Sequence, residues 1–421
     1  MRILYVNFDR GVPVLGDKGA SVHVRSMTTA LTRLGHDVTL LCSRLGGTNA
    51  APPARLVELA PPRMDAEALE SEAYLSGLPQ ANLADPIVAR EVAALAHDRA
   101  LRGRALAVLA DMNWFPDIVY ERHALFHTAG ATLATMLGAP RIVEVNAPLA
   151  REQALHRGLA LREVAEAREA CSWRQADLAV AVSAEVRAHL LVCGVEPARA
   201  MVAQNGVDTP LFRVDPVQAA RTRLRWGLGA GPVVGFVGSF KPWHGVAALI
   251  DAFARVHASA PEARLLAVGD GPELESCRAR AAALGLEGVA AFTGAVPHAE
   301  IPMHLAAMDF TVAPYAPDPG FYFSPLKIVE SLAASCPVVA PRLGQIEALV
   351  EHEATGLLYS PGDDDQLVAM MTRLLHDSAL RSRLGRNARA RMHASWDWTQ
   401  VAARILGRLA AAVPLVEETR A

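Results

Sequence analysis

Lysine is nearly missing from this 421-residue chain. Of its 41 basic residues, all but Lys18, Lys241 and Lys327 are arginine. Cysteine is scarce as well. Cys42, Cys171, Cys193, Cys277 and Cys336 are far apart, odd in number and without a CxxC pair, which argues against a disulfide framework or a zinc ribbon and for reduced thiols packed as core residues. A surplus of positive charge is absent, the net charge being −3, so no nucleic-acid footprint is present. No run of about 18 apolar residues is available to span a bilayer. The N-terminal MRILYVNFD has one Arg and only a short apolar run, and reads as a first strand rather than a signal peptide. A cytoplasmic location is expected, and peripheral contact with the inner face of a membrane is compatible with it. Neither GxGxxG nor GxxxxGKS/T occurs, so neither NAD nor a P-loop nucleotide is indicated.

What remains is an ordinary globular composition, 52% apolar and 20% charged. The length exceeds the ~250 to 300 residues at which single cores stop growing, which points to two domains. Residues 2–7, 38–42, 116–120, 140–145, 177–183 and 201–204 read as buried strands separated by helical stretches, a pattern that implies a parallel sheet. The first helix, over 20–34, follows a loop bearing Gly16 and Gly19. Residues 46–62 read as loop, 65–110 as helix with two breaks, and 151–174 as one long helix with a solvated, ion-paired face. Asn205-Gly206 and the Arg-rich stretch to Gly231 mark a boundary with a hinge over 206–230. Residues 233–237, 265–268, 289–292 and 309–313 then repeat the strand pattern. Their following loops hold Gly238, Ser239, Lys241 and His244, then Gly269 and Gly271, then Val296. The expected domains are 1–207 and 208–395, with 396–421 forming a terminal helix that crosses back to the first.

The stretch Pro314–Pro341 organises the second half. Gly320, Phe321, Tyr322 and Phe323 form an aromatic loop, Ser324 is the expected N-cap and Pro325 the first helical residue. Lys327 and Glu330, three apart, share one helix face. An ammonium beside a helix N-terminus suits a diphosphate, and Glu330 can accept hydrogen bonds from ribose hydroxyls. In the first half Arg122 and His123 sit at the carboxyl end of a strand, where open parallel sheets bind ligands. Glu144 and Asn146, polar at the end of an apolar strand, are expected to face a ligand or each other. His123 and His127 have metal-ligand spacing, but no third ligand converges, so no metal is expected. Asp363-Asp364-Asp365 reads as a helix cap.

These residues resemble the retaining glycosyltransferases of family 4, whose GT-B fold consists of two facing Rossmann-like domains. The likeness rests on the Gly16–Gly19 loop, Gly35-His36, Ala181-Val182-Ser183, Asn205-Gly206-Val207-Asp208, Gly269-Asp270-Gly271-Pro272, Ser324-Pro325-Leu326-Lys327 with Glu330, and Pro337-Val338-Val339-Ala340, in that order. It implies an α/β fold with a cleft between two doubly wound domains. It also implies metal-independent transfer of a hexosyl group, with retained configuration, from a UDP- or GDP-sugar to a small-molecule, lipid-linked or polysaccharide acceptor. No cofactor is required. Lys327, Glu330, Lys241 and Asn146 would carry the reaction. Gly16, Gly19, Gly238, Ser239, His244, Gly269, Gly271, Val296, the 320–323 loop, Ser324 and Leu326 would surround the donor, and Arg122, His123 and Glu144 would orient the acceptor.

Four positions depart from the family pattern. Tyr322 replaces the first of two glutamates, Ser239 an arginine, His244 a lysine and Asn146 a histidine. Lys241 would supply the missing charge. The competing readings are a sugar-nucleotide epimerase or phosphorylase on this fold, and a non-catalytic nucleotide-binding partner subunit.

Overall fold

A computed structural model describes residues 1–213, 215–317, 321–322 and 324–413. Gly320 and Phe323, two of the expected donor contacts, lie outside the described residues. The chain forms two compact units. One comprises Met1–Gln204 with Tyr322, Ser324 and the residues from Val401 onward, and the other Asn205–Phe321 with Pro325–Gln400.

The first unit holds a seven-stranded parallel sheet of β1 (Arg2–Asn7), β2 (Asp37–Cys42), β3 (Arg55–Glu58), β4 (Ile118–Arg122), β5 (Arg141–Val145), β6 (Leu178–Ala181) and β7 (Ala200–Val202), in the order 3-2-1-4-5-6-7. Residues 3–7 of β1 and all of β5 are buried, as expected when helices cover both sheet faces. The order reverses between β1 and β4. Loops leaving the carboxyl ends of those strands turn to opposite faces and open a crevice there.

The second unit repeats this plan with β8 (Val233–Val237), β9 (Arg264–Val268), β10 (Ala290–Phe292), β11 (Phe310–Val312), β12 (Val338–Pro341) and β13 (Gly356–Tyr359), in the order 10-9-8-11-12-13. Here the reversal falls between β8 and β11. The loop after β8 is Gly238–Gly245, and the loop after β11 runs into the helix Leu326–Ala333. Topology therefore brings the two most suggestive segments of the sequence to one crevice. Two independent apolar cores support the sheets: Phe236, Phe240, Phe253 and Phe310 belong to the second, Leu4, Val6, Leu101 and Val119 to the first.

Local chemistry accounts for several helix starts. Asp85 caps Pro86–Asp111 by accepting from the Ile87 N–H at 2.7 Å, and Ser183 caps Ala184–Val192 through the Val186 N–H. Asp363 caps Asp364–His376 by accepting from the Gln366 N–H, the role expected of that acidic run.

Four expectations fail locally. The stretch 151–174 is two helices, Leu149–His156 and Arg162–Arg174, because Gly158 takes the left-handed conformation (φ 77°) and buried Glu91 draws the Ala160 and Leu161 N–H groups away from helical partners. Its second half is not simply solvated, since Glu169 is buried against His123. Residues 55–58 pair with β2 as a short edge strand. The expected hinge contains a helix, Pro216–Arg225, begun by Asp215 and Pro216, the same Asp-Pro start that opens Pro86–Asp111. Finally, Pro325 rather than Ser324 occupies the N-cap position, and the helix begins at Leu326.

One buried ion pair ties the first sheet together. Arg141 on β5 donates to the Glu121 carboxylate on β4 and to the Ser172 carbonyl, and both charged side chains are about 1% exposed. A Cβ at Gly130 would run into that carboxylate, so glycine there makes room for the pair. Removing one partner strands the other charge, so Arg141→Ala is expected to cost about 3 to 5 kcal/mol. Denaturant unfolding followed by Trp173 fluorescence measures it, and adding Glu121→Ala should restore part of the loss.

Candidate functional site

In the second unit the site is built on Lys327. This residue opens the helix Leu326–Ala333, and its side chain runs back toward the carboxyl end of β8. The ammonium lies 4.7 Å from the Phe236 ring centroid and 4.6 Å from that of Tyr315. It has no hydrogen-bond partner among the described residues. Two aromatic faces attract a cation but do not satisfy its three N–H donors, and burial holds its pKa down to about 7. The loop gives way to make room for it. Gly238 has φ 143°, and a Cβ there would approach Lys327 Nζ to 2.9 Å.

Neighbouring loops interlock around this point. The Gly238 N–H donates to the Val268 carbonyl, Phe240 N–H to Asp270, and Gly269 N–H to Gly294. Gly269 (φ 132°) has no room for a side chain, because a Cβ would strike the Gly238 carbonyl. The loops after β8, β9 and β10 are thus locked into one floor.

His244 does not restore a second cation. Burial, then the charges of Lys327 and Lys241, hold its pKa near 4, and its Nδ1–H donates to the Ser239 carbonyl at 2.5 Å. It is a neutral imidazole at ordinary pH, edge-on to Tyr315. Lys241 Nζ lies over the half-exposed Trp243 ring, 4.9 Å from the centroid. Glu330 lies one turn beyond Lys327, 9% exposed, with Oε1 2.7 Å from His298 Nε2. Phe321 is buried edge-on against Tyr315.

The first unit carries a separate polar cluster at the reversal between β1 and β4. Glu144 accepts from the Tyr120 hydroxyl at 2.7 Å and Asn146 Nδ2 at 2.8 Å, and its Oε1 lies 2.6 Å from His23 Nε2. Burial alone would raise its pKa, but His23, then Arg122 and Tyr120, outweigh burial and hold it near 2. Glu144 and Asn146 therefore face each other. Arg122 is beside them, its buried Nε and Nη1 without hydrogen-bond partners among the described residues. His123 is engaged elsewhere, bonded to Glu169 at 3.0 Å and edge-on to Trp173. His127 bonds the Leu125 carbonyl and contacts His97. The two expected metal-spaced histidines thus diverge. Among the described residues, no group of three His, Cys, Asp or Glu side chains could hold a metal ion.

Gly16 is folded into its own loop, with its carbonyl accepting from Arg25 and Asn49, and Gly19 begins the helix Gly19–Arg33. Tyr322 belongs to the first unit, where its hydroxyl donates to Glu152 at 2.9 Å. The residues that sequence reasoning missed are His23, Tyr120, Phe236, Tyr315 and His298. Only the strand order, which makes β8 the neighbour of β11, could have brought Phe236 and Tyr315 to the same ammonium.

Residues 18–210 match the family model for Glycosyltransferase Family 4, and residues 231–377 match that for Glycosyl transferases group 1. The chain thus carries a Glycosyltransferase Family 4 domain followed by a Glycosyl transferases group 1 domain. Its fold agrees, since the Anabaena HepE protein, solved in complex with UDP, superposes with a TM-score of 0.70 at 20% identity, over 98% of this chain and 100% of that one. Among curated relatives, the GDP-mannose-dependent alpha-(1-6)-phosphatidylinositol monomannoside mannosyltransferase of Mycobacterium tuberculosis is 33% identical over 203 residues, 48% of this chain. The match spans 53% of that relative, about half its length. Glycogen synthase of the same organism is 27% identical over 408 residues, 96% of this chain and 92% of that one. No described helix is long and apolar enough to cross a membrane.

Lys327 weakens the empty protein. Its pKa falls from 10.5 unfolded to about 7 folded, so the penalty is fully present below pH 7 and disappears as pH rises to 10.5. Lys327→Met, an apolar chain of similar length, should therefore raise the melting temperature at pH 7. The gain should shrink steadily toward pH 10.5 in thermal unfolding of the two proteins across that range.

Proposed function

We propose that this chain is a retaining, metal-independent glycosyltransferase that moves a sugar from a UDP- or GDP-sugar to a hydroxyl acceptor. The observation that carries the reading is the buried Lys327 ammonium, its donors unmet, at a helix N-terminus in the crevice between β8 and β11. A diphosphate is the group such a site lacks. It would meet the ammonium's N–H donors and the partial positive charge of the helix end together. Lys241, held over Trp243, adds positive potential nearby. The relatives favour these donors: one is named for GDP-mannose, and HepE was solved with UDP.

Cleavage of the sugar–phosphate bond builds negative charge on the departing diphosphate. A cation already desolvated and in place stabilises that charge without reorganising, and does so most strongly in the transition state. In the first unit, which we assign to the acceptor, Glu144 is an unsuitable base. Tyr120 and Asn146 donate to it, His23 lies against it, and its pKa is near 2. The acceptor proton passes instead to the leaving phosphate on the same face, which retains the configuration. Arg122, Asn146 and Glu144 orient the acceptor, and the His123 N–H donates to the Glu144 carbonyl beside them. A glycolipid or polysaccharide acceptor fits the relatives, which are named for a phosphatidylinositol mannoside and for glycogen.

The test is turnover of UDP- and GDP-sugars in EDTA, with the anomeric configuration of the product read by NMR. Lys327→Ala should lower turnover about 10²- to 10³-fold while the protein remains folded. Wild-type turnover in that variant, or an inverted product, overturns the assignment.

A further inference from the structure

Glu330 is not free to choose its own orientation. Its Oε1 lies 2.7 Å from Nε2 of His298, and an ionised carboxylate can only accept, so Nε2 carries the proton of that bond. His298 begins the short 3-10 turn His298–Glu300, which follows the loop Gly294–Pro297 at the end of β10. Its ring stands edge-on to Phe212, centroids 6.3 Å apart, and Phe212 is 1% exposed. A fixed aromatic wall thus holds a histidine, and the histidine holds one carboxylate oxygen. Oε2 and the remaining lone pair of Oε1 are left to accept from something else.

The accessibility of the pair bears on its purpose. The His298 and Glu330 side chains are 23% and 12% exposed, so the pair is largely buried while an edge of it stays open to a ligand. An orienting role accounts better for a short bond between residues 32 positions apart, made beside the Lys327 crevice. The same loop bears Val296, which the family resemblance would set beside the donor. The residue that aims the carboxylate is therefore carried by the same segment as that expected donor contact.

We propose that His298 is a positioning residue. It orients the Glu330 carboxylate to accept hydrogen bonds from the sugar hydroxyls of the donor nucleoside, and so sets a preference for ribonucleotides over their 2′-deoxy counterparts. This rests on the donor-site reading above. A carboxylate held in register accepts a hydroxyl's hydrogen bond at full strength, whereas one that swings must be ordered on binding.

The test is calorimetric titration of the full chain with UDP, GDP and ADP and with their 2′-deoxy analogues. The proteins compared are the wild type, His298→Ala, His298→Gln, Glu330→Ala and the His298→Ala/Glu330→Ala double variant. The wild type should prefer its ribonucleotide by about 10- to 100-fold, the range of a hydrogen bond to a charged group. His298→Ala should bind that ribonucleotide about tenfold more weakly, with little change for the deoxy form, so the preference collapses. His298→Gln, which can donate from its amide, should recover part of it. The double variant should bind no more weakly than Glu330→Ala alone, an equality that a merely structural histidine would not produce.

A His298→Ala protein with wild-type melting temperature, affinity and preference overturns the inference. So does an equal loss of ribo and deoxy binding that persists in the Glu330→Ala background. If Lys327→Ala abolishes nucleotide binding while His298→Ala leaves it and its preference intact, the donor site stands and the role of His298 falls. If the wild type binds none of the three nucleotides, both readings fail together.

Discussion

A full positive charge without hydrogen-bond partners is costly to bury, and the second unit is arranged around accepting that cost at Lys327. Two aromatic rings give the ammonium a favourable but incomplete environment. Gly238 leaves the space beside it, and the loops after β8, β9 and β10 hold one another so that the space cannot close. The neutral state of His244 follows first from its own burial and then from the same charge. Each of these features is hard to explain by folding alone. Together they set a buried cation, its N–H donors unmet among the described residues, in the crevice between β8 and β11.

The two units solve the same topological problem with different chemistry. Both are doubly wound sheets whose order reverses in the middle, and both place polar groups at the reversal. In the second unit the group is a cation left without a counter-ion. In the first, Glu144 is a charge that its neighbours satisfy, with His23, Tyr120 and Asn146 converging on it. An unsatisfied cation attracts an anionic substrate, and a satisfied carboxylate holds neighbouring donors in place. That contrast suits a division between a charged donor and a neutral hydroxyl acceptor.

Much of the fold was legible because it depends on local rules. Buried apolar runs ended by Gly-rich loops indicate parallel strands with crossover helices, and Asp85-Pro86 or Asp363 announce helix starts through their own side chains. The misreadings are where distant residues intervene. Glu91 breaks the helix near Gly158 by capturing two N–H groups roughly seventy positions away, and Arg55–Glu58 becomes a strand only because β2 offers it an edge.

The candidate site divides in the same way. Residue type and spacing were enough to single out Lys327, Glu330 and the glycines after each strand, because a helix start with a lysine in its first turn and loops that need positive φ leave marks in the sequence itself. The partners were not legible: Phe236 and Tyr315 for Lys327, His298 for Glu330, His23 for Glu144. Each contact joins segments that only the strand order makes neighbours, and no periodicity records which side chains meet across a crevice. The sequence by itself determined which candidate groups stand at the strand ends and helix starts. The tertiary structure decided their state, because burial and proximity lower the pKa of Lys327, neutralise His244 and hold Glu144 as a carboxylate, and those effects exist only once the chain has folded.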